Sequence, residues 1–287
     1  METSITAESK AFRGLTSTGL KWIALVLMVL DHIHYFFSFT GWIPDWFSML
    51  GRLSAPLFLF CAVEGFIHTR SRKKYFLKVY SLSVLMTGVL LLMNVFGMLI
   101  RPDGFYPMNG MMTSFAVLMI VWQGIDWLGE KRYLRGLAAV LLPLAWPMLL
   151  TALLSGVPAL RLPLVLIGLT LVPTWNFSLD ACLPVVVSGI VLYLFRKNRY
   201  RQIAAFVMFE LLYYLVYVGS MCAGLPGFHW TQMFTMYYEW YGAFAGILML
   251  CYDGRRGSGH GGFFYLFYPA HIYGLYALSW LLYLLLN

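Results

Sequence analysis

The sequence predicts an all-α, polytopic integral membrane protein with about nine or ten transmembrane helices and one short re-entrant or tilted segment. Two observations support this prediction. Hydrophobic residues make up 61% of the 287 residues and charged residues only 11%, against about 25% charged residues in soluble domains. Nearly every long segment is apolar on all its faces, which excludes an amphipathic soluble bundle. We therefore interpret residues 1–287 as a single transmembrane domain.

Basic clusters between the apolar runs predict the orientation of the chain. The net charge of +8 is concentrated in short segments such as 70–78 and 129–135, a pattern typical of cytoplasmic loops under the positive-inside rule. The polar N-terminus, residues 1–19, then also lies on the cytoplasmic side. These clusters do not indicate nucleic acid as a partner, whereas the apolar segments require a lipid bilayer.

The apolar segments define nine predicted spans. They lie at about 20–39, 52–69, 79–100, 111–128, 136–154, 179–195, 202–222, 233–251 and 263–285. Pro143 and Pro147 should kink the fifth span, since proline removes a backbone donor. Residues 161–175 are too short for a full crossing, which would also place the basic segment 196–201 outside. We expect a re-entrant or tilted segment there, with ten spans as the alternative.

An ionisable pair lies near the middle of the first span. If Lys21 marks the cytoplasmic edge, Asp31 and His32 lie about 15 Å into a hydrocarbon core about 30 Å thick. Such a pair is costly unless it faces protein or water, so it indicates a functional site. Adjacent helical residues point about 100° apart, so the partners of His32 must come from other helices. The alternative is a purely structural hydrogen-bond network between helices.

The second span and the loop after it carry the next charged residues. Arg52 lies at the outer end of this span, and Glu64 lies one turn before His68. Arg52 alone would be explained by snorkelling to the outer head groups, and Glu64 by a protonated carboxyl bonded to a backbone carbonyl. The basic run that follows is either a topology signal or a rim that binds the phosphates of a nucleotide-containing donor. It comprises Arg70, Arg72, Lys73 and Lys74.

The last span adds a third titratable position at a similar depth. His271 lies about 13 Å from the inner loop, and Pro269 opens the backbone ladder just before it, which often marks a functional bend. A lone buried histidine is more often structural than catalytic, but three segments with titratable groups at one depth form a stronger signal. Weaker candidates for the lining of the site are Asn94, Asn109 and Glu210.

Three segments resemble the signature blocks of the TraX family. They are LKWIALVLMVLDHI at 20–33, GRLSAPLFLFCAVEGFIHTRSRKKY at 51–75 and FYLFYPAHI at 264–272. Founding members of this family acetylate the N-terminus of conjugative pilin. The family is similar in turn to multi-span acyltransferases that move acyl groups from cytoplasmic acyl-CoA to extracytoplasmic acceptors. The resemblance implies a protein of the bacterial cytoplasmic membrane with acetyl-CoA as the co-substrate that donates the acyl group.

The resemblance also implies roles for individual residues. His32 becomes the candidate catalytic histidine, and Asp31 its companion in the motif. Arg52 and Glu64 become members of the polar centre, and His271 closes the site from the last helix. The rim for the phosphates of coenzyme A then consists of Arg70, Arg72, Lys73 and Lys74.

Acyl transfer from a thioester needs a base that deprotonates the acceptor and a group that stabilises the oxyanion. His32 would be that base, or would carry the acyl group transiently. Arg52 or a backbone donor would face the oxyanion. The acceptor stays open: a peptide or protein N-terminus, a glycan and a small amine fit equally well.

Two other classes of function compete with acyl transfer. One is a proton-coupled transporter, in which Asp31, His32, Glu64 and His271 form a relay at the midplane. The other is a metal-dependent membrane hydrolase with His32, His271 and Glu64 as ligands, although no pair of histidines four residues apart supports it.

Overall fold

The fold is all-α, as the sequence predicts. We describe it from a computed structural model, which covers residues 14–108, 110–175, 183–259 and 261–287. Within these ranges the chain forms helices of very different lengths, and its β-type pairing is an isolated bridge between Leu15 and Tyr252.

Thirteen α-helices follow one another in the described ranges. They are α1 (Ser17–Phe37), α2 (Trp46–Gly51), α3 (Ser54–His68), α4 (Arg72–Asn94), α5 (Met111–Gly129), α6 (Tyr133–Gly156), α7 (Arg161–Thr170), α8 (Leu183–Leu194), α9 (Arg199–Glu210), α10 (Gly219–Cys222), α11 (Gln232–Thr235), α12 (Ala245–Leu250) and α13 (Gly261–Leu286). A π-helix, Leu211–Val218, joins α9 to α10, and 3₁₀ turns cover Ser38–Thr40, Pro158–Leu160 and Tyr238–Phe244.

Among the described residues, seven helical stretches are long and apolar enough to cross a membrane, so the chain is a multi-pass membrane protein. They are Ser17–Thr40, Trp46–His68, Arg72–Asn94, Met111–Gly129, Tyr133–Gly156, Arg199–Cys222 and Gly261–Leu286. Each coincides with a predicted span. The other two predicted spans, at about 179–195 and 233–251, correspond to shorter helices, and residues 179–182 lie outside the described ranges.

The predicted span at 233–251 is not one continuous helix, which corrects the prediction from sequence. α11 ends at Thr235, and α12 begins only at Ala245. The amide of Tyr237 donates to the carbonyl of Gln232 instead of that of Met233. The indole N–H of Trp240 donates to the Met233 carbonyl over 2.7 Å. The side chain thus satisfies a carbonyl that the helix break has released from the α-helical pattern.

The two ends of the bundle differ in charge. At the basic end, α3, α5, α8 and α12 end, and α1, α4, α9 and α13 begin. Asp126 near the end of α5 accepts hydrogen bonds there from Arg72 of α4 (2.7 Å), from Arg196 after α8 (2.7 Å) and from the Tyr193 hydroxyl (2.8 Å). One carboxylate therefore joins three helices. The opposite end carries the loops around residues 38–45 and 95–108.

The short segment after α6 behaves as the sequence predicts. α7 has ten residues, which span about 15 Å, half of a hydrocarbon core. It turns back along α6: the Trp146 indole donates to the Gly168 carbonyl (3.1 Å), and the Trp175 indole to the Leu144 carbonyl (3.0 Å). α8 then runs beside α5 to the basic end, where residues 196–201 follow it. Residues 161–175 thus reach only the middle of the bundle.

Two apolar clusters pack the helices. The larger lies mainly between α1, α3, α5, α8 and α9, with fully buried residues such as Leu20, Phe60 and Trp122. The smaller joins the ends of α1 and α4 to α13 through Phe36, Met86, Met93, Ile272 and Tyr276. Between helices in a bilayer, such side chains stabilise the contact through van der Waals packing, because lipid tails are as apolar as the side chains themselves. The smaller cluster fixes the contact between α1 and α13.

We expect Asp126→Ala to destabilise the bundle, because it leaves two partly buried arginines without their shared carboxylate. Loss of these charge-assisted hydrogen bonds should cost about 2 kcal/mol or more, a decrease of about 4 °C or more in melting temperature. Thermal unfolding of the purified protein in detergent measures it. Asp45→Ala is the matched control, since the Asp45 side chain is 74% exposed and forms its ion pair with a histidine, His34, and not with buried arginines. Equal melting temperatures for the two variants would contradict the proposed anchoring role.

Candidate active site

Two histidines from opposite ends of the sequence meet inside the bundle. The rings of His32 in α1 and His271 in α13 lie 4.9 Å apart, centroid to centroid, and nearly perpendicular at 89°. α1 and α13 both begin at the basic end, and His32 and His271 lie about 22 Å and about 15 Å along them. The structure therefore brings together the first and last of the predicted segments.

Backbone contacts fix the tautomer of both rings. The Nδ1 atom of His32 lies 2.8 Å from the Met28 carbonyl, and that of His271 lies 3.0 Å from the Phe267 carbonyl. A carbonyl only accepts, so Nδ1 carries the proton in each ring. The lone pair of each neutral imidazole is then on Nε2. For His271 this atom is buried and has no hydrogen-bond partner among the described residues.

Aromatic rings surround the two imidazoles. Phe36 stacks on His32 at 6.0 Å, and Phe267 stacks on His271 at 5.1 Å with an interplanar angle of 6°. Tyr35 and Tyr268 contact the two imidazoles edge-on. His271 is buried and His32 is partly buried, and the neighbouring phenylalanine rings offer Nε2 no hydrogen-bond partner. The arrangement is suited to taking a proton from a bound molecule.

Asp31 belongs to a separate cluster on another face of α1. Its Oδ1 accepts from the Arg52 guanidinium (2.6 Å) and from the Ser48 hydroxyl (2.9 Å). Arg52 also donates to the Ser48 hydroxyl and carbonyl. Gly51 allows this approach, because an added Cβ would overlap the Asp31 side chain. The structure thus brings Asp31 and Arg52 together, and the pair holds α2 against α1 beside the histidines.

Glu64 lies towards the basic end and is not brought to the histidine pair. Its Oε2 lies 3.3 Å from Arg199 and 3.8 Å from His68, the partner four residues away that the sequence suggests. The Glu64 side chain is 8% exposed. Arg199 stacks over Phe60 and Tyr252, so the pair joins α3, α9 and the end of α12. Its position in the structure is that of a bridge between helices.

The predicted phosphate-binding rim divides into two parts. Arg72 donates to Asp126 and to Gln123 (3.0 Å) and stacks over Phe66, so it connects helices at the basic end. Arg70, Lys73 and Lys74 are exposed around the start of α4. These three cations remain accessible to an anion from the adjoining solution.

The weaker candidates lie apart from the histidine pair. Asn94 is exposed at the end of α4, and Asn109 lies outside the described residues. Glu210 is buried at the end of α9, where the Ser188 hydroxyl donates to it over 2.6 Å. The described residues contain no group of three histidine, cysteine or acidic side chains that could hold a metal ion. The geometry therefore does not favour the metal-hydrolase hypothesis.

Two further residues that support the site were not predicted from the sequence. Ser48 lies one helical turn before Arg52, a spacing that would have indicated a shared partner. Arg101 is buried in the loop at the opposite end and bonds to Asp103, two residues later. An arginine followed by a carboxylate in the otherwise apolar loop between α4 and α5 is the signal that could have identified it.

Comparison with known proteins covers both histidine-bearing helices. The family model described as "TraX protein" matches residues 17–279. The "Probable fimbrial assembly protein FimC, serogroup H1" of Dichelobacter nodosus is 30% identical over 264 residues, which represent 88% of this chain and 91% of that protein. No solved structure matches the chain. Because the family model extends from the start of α1 to Ser279 in α13, the chain belongs to the TraX family.

Proposed function

We propose that this protein is a membrane acyltransferase that moves an acetyl group from cytoplasmic acetyl-CoA to an extracytoplasmic amine or hydroxyl. The observation that carries the proposal is the pair of His271, which is buried, and His32, which is partly buried, each with Nδ1 bonded to a backbone carbonyl and Nε2 left as a base. General-base catalysis needs such a nitrogen within reach of the acceptor. The TraX family membership and the resemblance of its signature blocks agree with this chemistry.

In the proposed reaction, the acceptor nitrogen or oxygen attacks the thioester carbonyl carbon while His32 Nε2 takes the acceptor's proton. The tetrahedral intermediate collapses, the carbon–sulfur bond breaks, and the thiolate leaves. The imidazolium of His32 then returns the proton to sulfur. The products are the acetylated acceptor and free coenzyme A, and His32 is again neutral. His271 contacts the His32 ring and confines it from the α13 side.

The direction of transfer follows from the distribution of charge. We assign the basic end to the cytoplasm of a bacterial cell, as the positive-inside rule requires, so the N-terminus is cytoplasmic. Arg70, Lys73 and Lys74 then face the compartment that contains acetyl-CoA, and they would bind its phosphates. The acceptor reaches the histidines from the opposite end, where the loop between α4 and α5 must open to admit it. The two substrates meet near the middle of the bundle.

The relative from Dichelobacter nodosus suggests an acceptor to test first. Its printed description is that of a probable fimbrial assembly protein. The N-terminal amine of a fimbrial subunit is therefore the acceptor we propose to examine before glycans and small amines. A primary amine loses one proton on acylation, which is what His32 Nε2 accepts.

The proton-transfer relay of a transporter has less support in the structure. Such a relay needs Asp31, His32, Glu64 and His271 in one chain of contacts. Instead, Asp31 bonds to Arg52, and Glu64 to Arg199, on different faces and at different depths. The transporter is therefore the hypothesis to adopt if the test of acyl transfer fails.

We expect His32→Ala to abolish release of free thiol from acetyl-CoA, because the general base is lost. Removal of a general base costs about 100-fold to 10,000-fold in rate. The measurement is thiol release by purified protein in detergent, with and without an acceptor peptide. His229→Ala is the matched control, since His229 is exposed in a loop away from the histidine pair. With the acceptor peptide present, thiol release that is equal in both variants, or absent from the wild type at millimolar donor, would contradict acyl transfer.

Neutralising Arg70, Lys73 and Lys74 together to glutamine should raise the KM for acetyl-CoA while kcat changes little, since the phosphates are bound far from the reacting carbon. Each exposed ion pair contributes about 0.2–1 kcal/mol, so the triple change predicts a rise of about threefold to a hundredfold. Added salt should reduce the difference from the wild type. The control neutralises Lys131, Arg132 and Arg135, three exposed cations of the neighbouring basic loop. Equal KM values for both triple variants would refute this donor site.

A further inference from the structure

A short loop covers the histidine pair at the opposite end of the bundle. Residues 99–108, which we call the cap segment, cross between the ends of α1 and α13. Its central cation, Arg101, is 3% exposed. An arginine buried to this degree in a connecting loop is uncommon, because loops normally keep their charges in solvent.

Arg101 bonds to both histidine-bearing helices at once. One guanidinium nitrogen, Nη1, donates to the Phe36 carbonyl of α1 (3.3 Å) and to the Ser279 hydroxyl of α13 (3.2 Å). Nε and Nη2 form a two-bond contact with the Asp103 carboxylate at 2.9 and 2.7 Å. The guanidinium beside Asp103 holds the pKa of that carboxyl below its ordinary value, so the pair is charged at neutral pH. The planar group also lies over the rings of Phe39, Phe105 and Tyr283.

Tyr276 of α13 adds a second attachment. Its hydroxyl accepts from the Arg101 amide (3.0 Å). The single hydroxyl proton is donated between two carbonyls, that of Leu99 at 2.8 Å and that of Phe105 at 3.0 Å. Leu99 has a φ of 56°, a left-handed conformation that non-glycine residues rarely adopt. Such a conformation persists where surrounding contacts hold it. The cap segment is therefore fixed by side chains that reach it from α13.

An aromatic layer connects the cap segment to the imidazoles. Phe105 lies 5.2 Å from the ring of Tyr35 and 6.0 Å from that of Phe36, and both of these rings contact His32. Tyr276, which contacts the same Phe36 and Phe105 rings, lies five residues after His271 on α13. The cap segment and the histidines are thus separated by a single layer of rings.

We propose that Arg101 is a positioning residue that fastens the cap segment over His32 and His271 and so keeps water from the reacting thioester. This inference rests on the proposed function. Water would compete with the acceptor: its oxygen would attack the thioester carbonyl, the carbon–sulfur bond would break, and acetate and free coenzyme A would form without an acylated acceptor. A site that excludes water prevents this side reaction.

The first experiment is independent of catalysis. Diethyl pyrocarbonate modifies neutral imidazoles that solvent can reach, and mass spectrometry of peptides gives the rate for each histidine. We expect Arg101→Ala to raise the rates at His32 and His271 about tenfold, as loss of hydrogen bonds to a charged group permits local opening. The rate at exposed His229 should stay unchanged and serves as the internal reference. Unchanged rates at His32 and His271 would overturn the proposal.

Two further variants keep the test decisive if Arg101→Ala fails to fold. Tyr276→Phe removes the hydroxyl that bonds the cap segment and retains the ring, so we expect a smaller increase at the same two histidines. Arg101→Lys keeps the charge but not the planar guanidinium. Its modification rates at His32 and His271 should lie between those of the wild type and those of Arg101→Ala. If Arg101→Ala does not fold, the rates of Arg101→Lys are compared with those of Tyr276→Phe instead. If Tyr276→Phe leaves both histidines as protected as in the wild type, the cap segment does not depend on these bonds.

The second experiment measures coupling. Two rates are compared: hydrolysis, which is thiol release without an acceptor, and transfer, which is thiol release accompanied by acylated product. In Arg101→Ala the ratio of hydrolysis to transfer should rise, whereas loss of fold would reduce both rates. A fall in both, with an unchanged ratio and a native melting temperature, would overturn the proposal. If the wild type releases no thiol at all, the proposed function fails, and the modification rates still decide whether Arg101 holds the cap segment closed.

Discussion

A polar group inside a hydrocarbon layer has no water to bind, so it must find its partner within the protein. Most buried charges here obey this constraint through short bonds between helices. They pair as Asp31 with Arg52, Glu64 with Arg199, and Asp126 with Arg72 and Arg196, while Glu210 accepts from Ser188. Two buried side-chain atoms in the described part of the chain lack a partner, Gln202 Oε1 and His271 Nε2. Of these, only the imidazole nitrogen is a base, and it lies beside a second imidazole. One of the two exceptions to the constraint therefore lies in the candidate active site.

The same constraint applies to the backbone, and several tryptophan side chains donate hydrogen bonds to backbone carbonyls in the bundle. Where helices are broken or short, an indole N–H donates to a carbonyl of another or a neighbouring segment: Trp122 to Gly189, Trp146 to Gly168, Trp175 to Leu144 and Trp240 to Met233. Indole has a single donor on a large apolar ring, so it satisfies a carbonyl without adding an unpaired acceptor. These bonds allow α7 to end at mid-depth and α11 to separate from α12. Half-length helices are thus stable here without exposing polar backbone to lipid.

The sequence was sufficient for quantities that depend on counting along one helix. Hydropathy predicted the helical class and nine spans, of which seven are long apolar helices in the described residues, and the 1.5 Å rise placed His32 and His271 at a depth where they meet. The same counting places Glu64 about 18 Å from Arg52, and the structure pairs it with Arg199 near the basic end. The features that could not be predicted from the sequence depend on contacts between distant segments. Arg72 is bound to Asp126 instead of being accessible to a donor, because α4 packs against α5. Arg101 lies in a loop, and a loop has no periodic pattern from which its contacts could be predicted.

The surroundings of the two histidines bear on the order of chemical steps. Each ring has its Nδ1 proton bonded to a carbonyl, so the lone pair of the neutral form of each ring lies on Nε2. An imidazolium among aromatic rings lacks the solvation that water would give it, so a cationic intermediate is costly unless it is brief. In the proposed reaction, direct attack by the acceptor meets this requirement, because the proton that His32 takes is returned to the departing sulfur in the same sequence. An acyl-histidine intermediate would instead leave a positive charge on the acylated ring, which keeps its Nδ1 proton next to His271 until the acceptor attacks. If the proposed function holds, the surroundings of the pair therefore favour direct transfer.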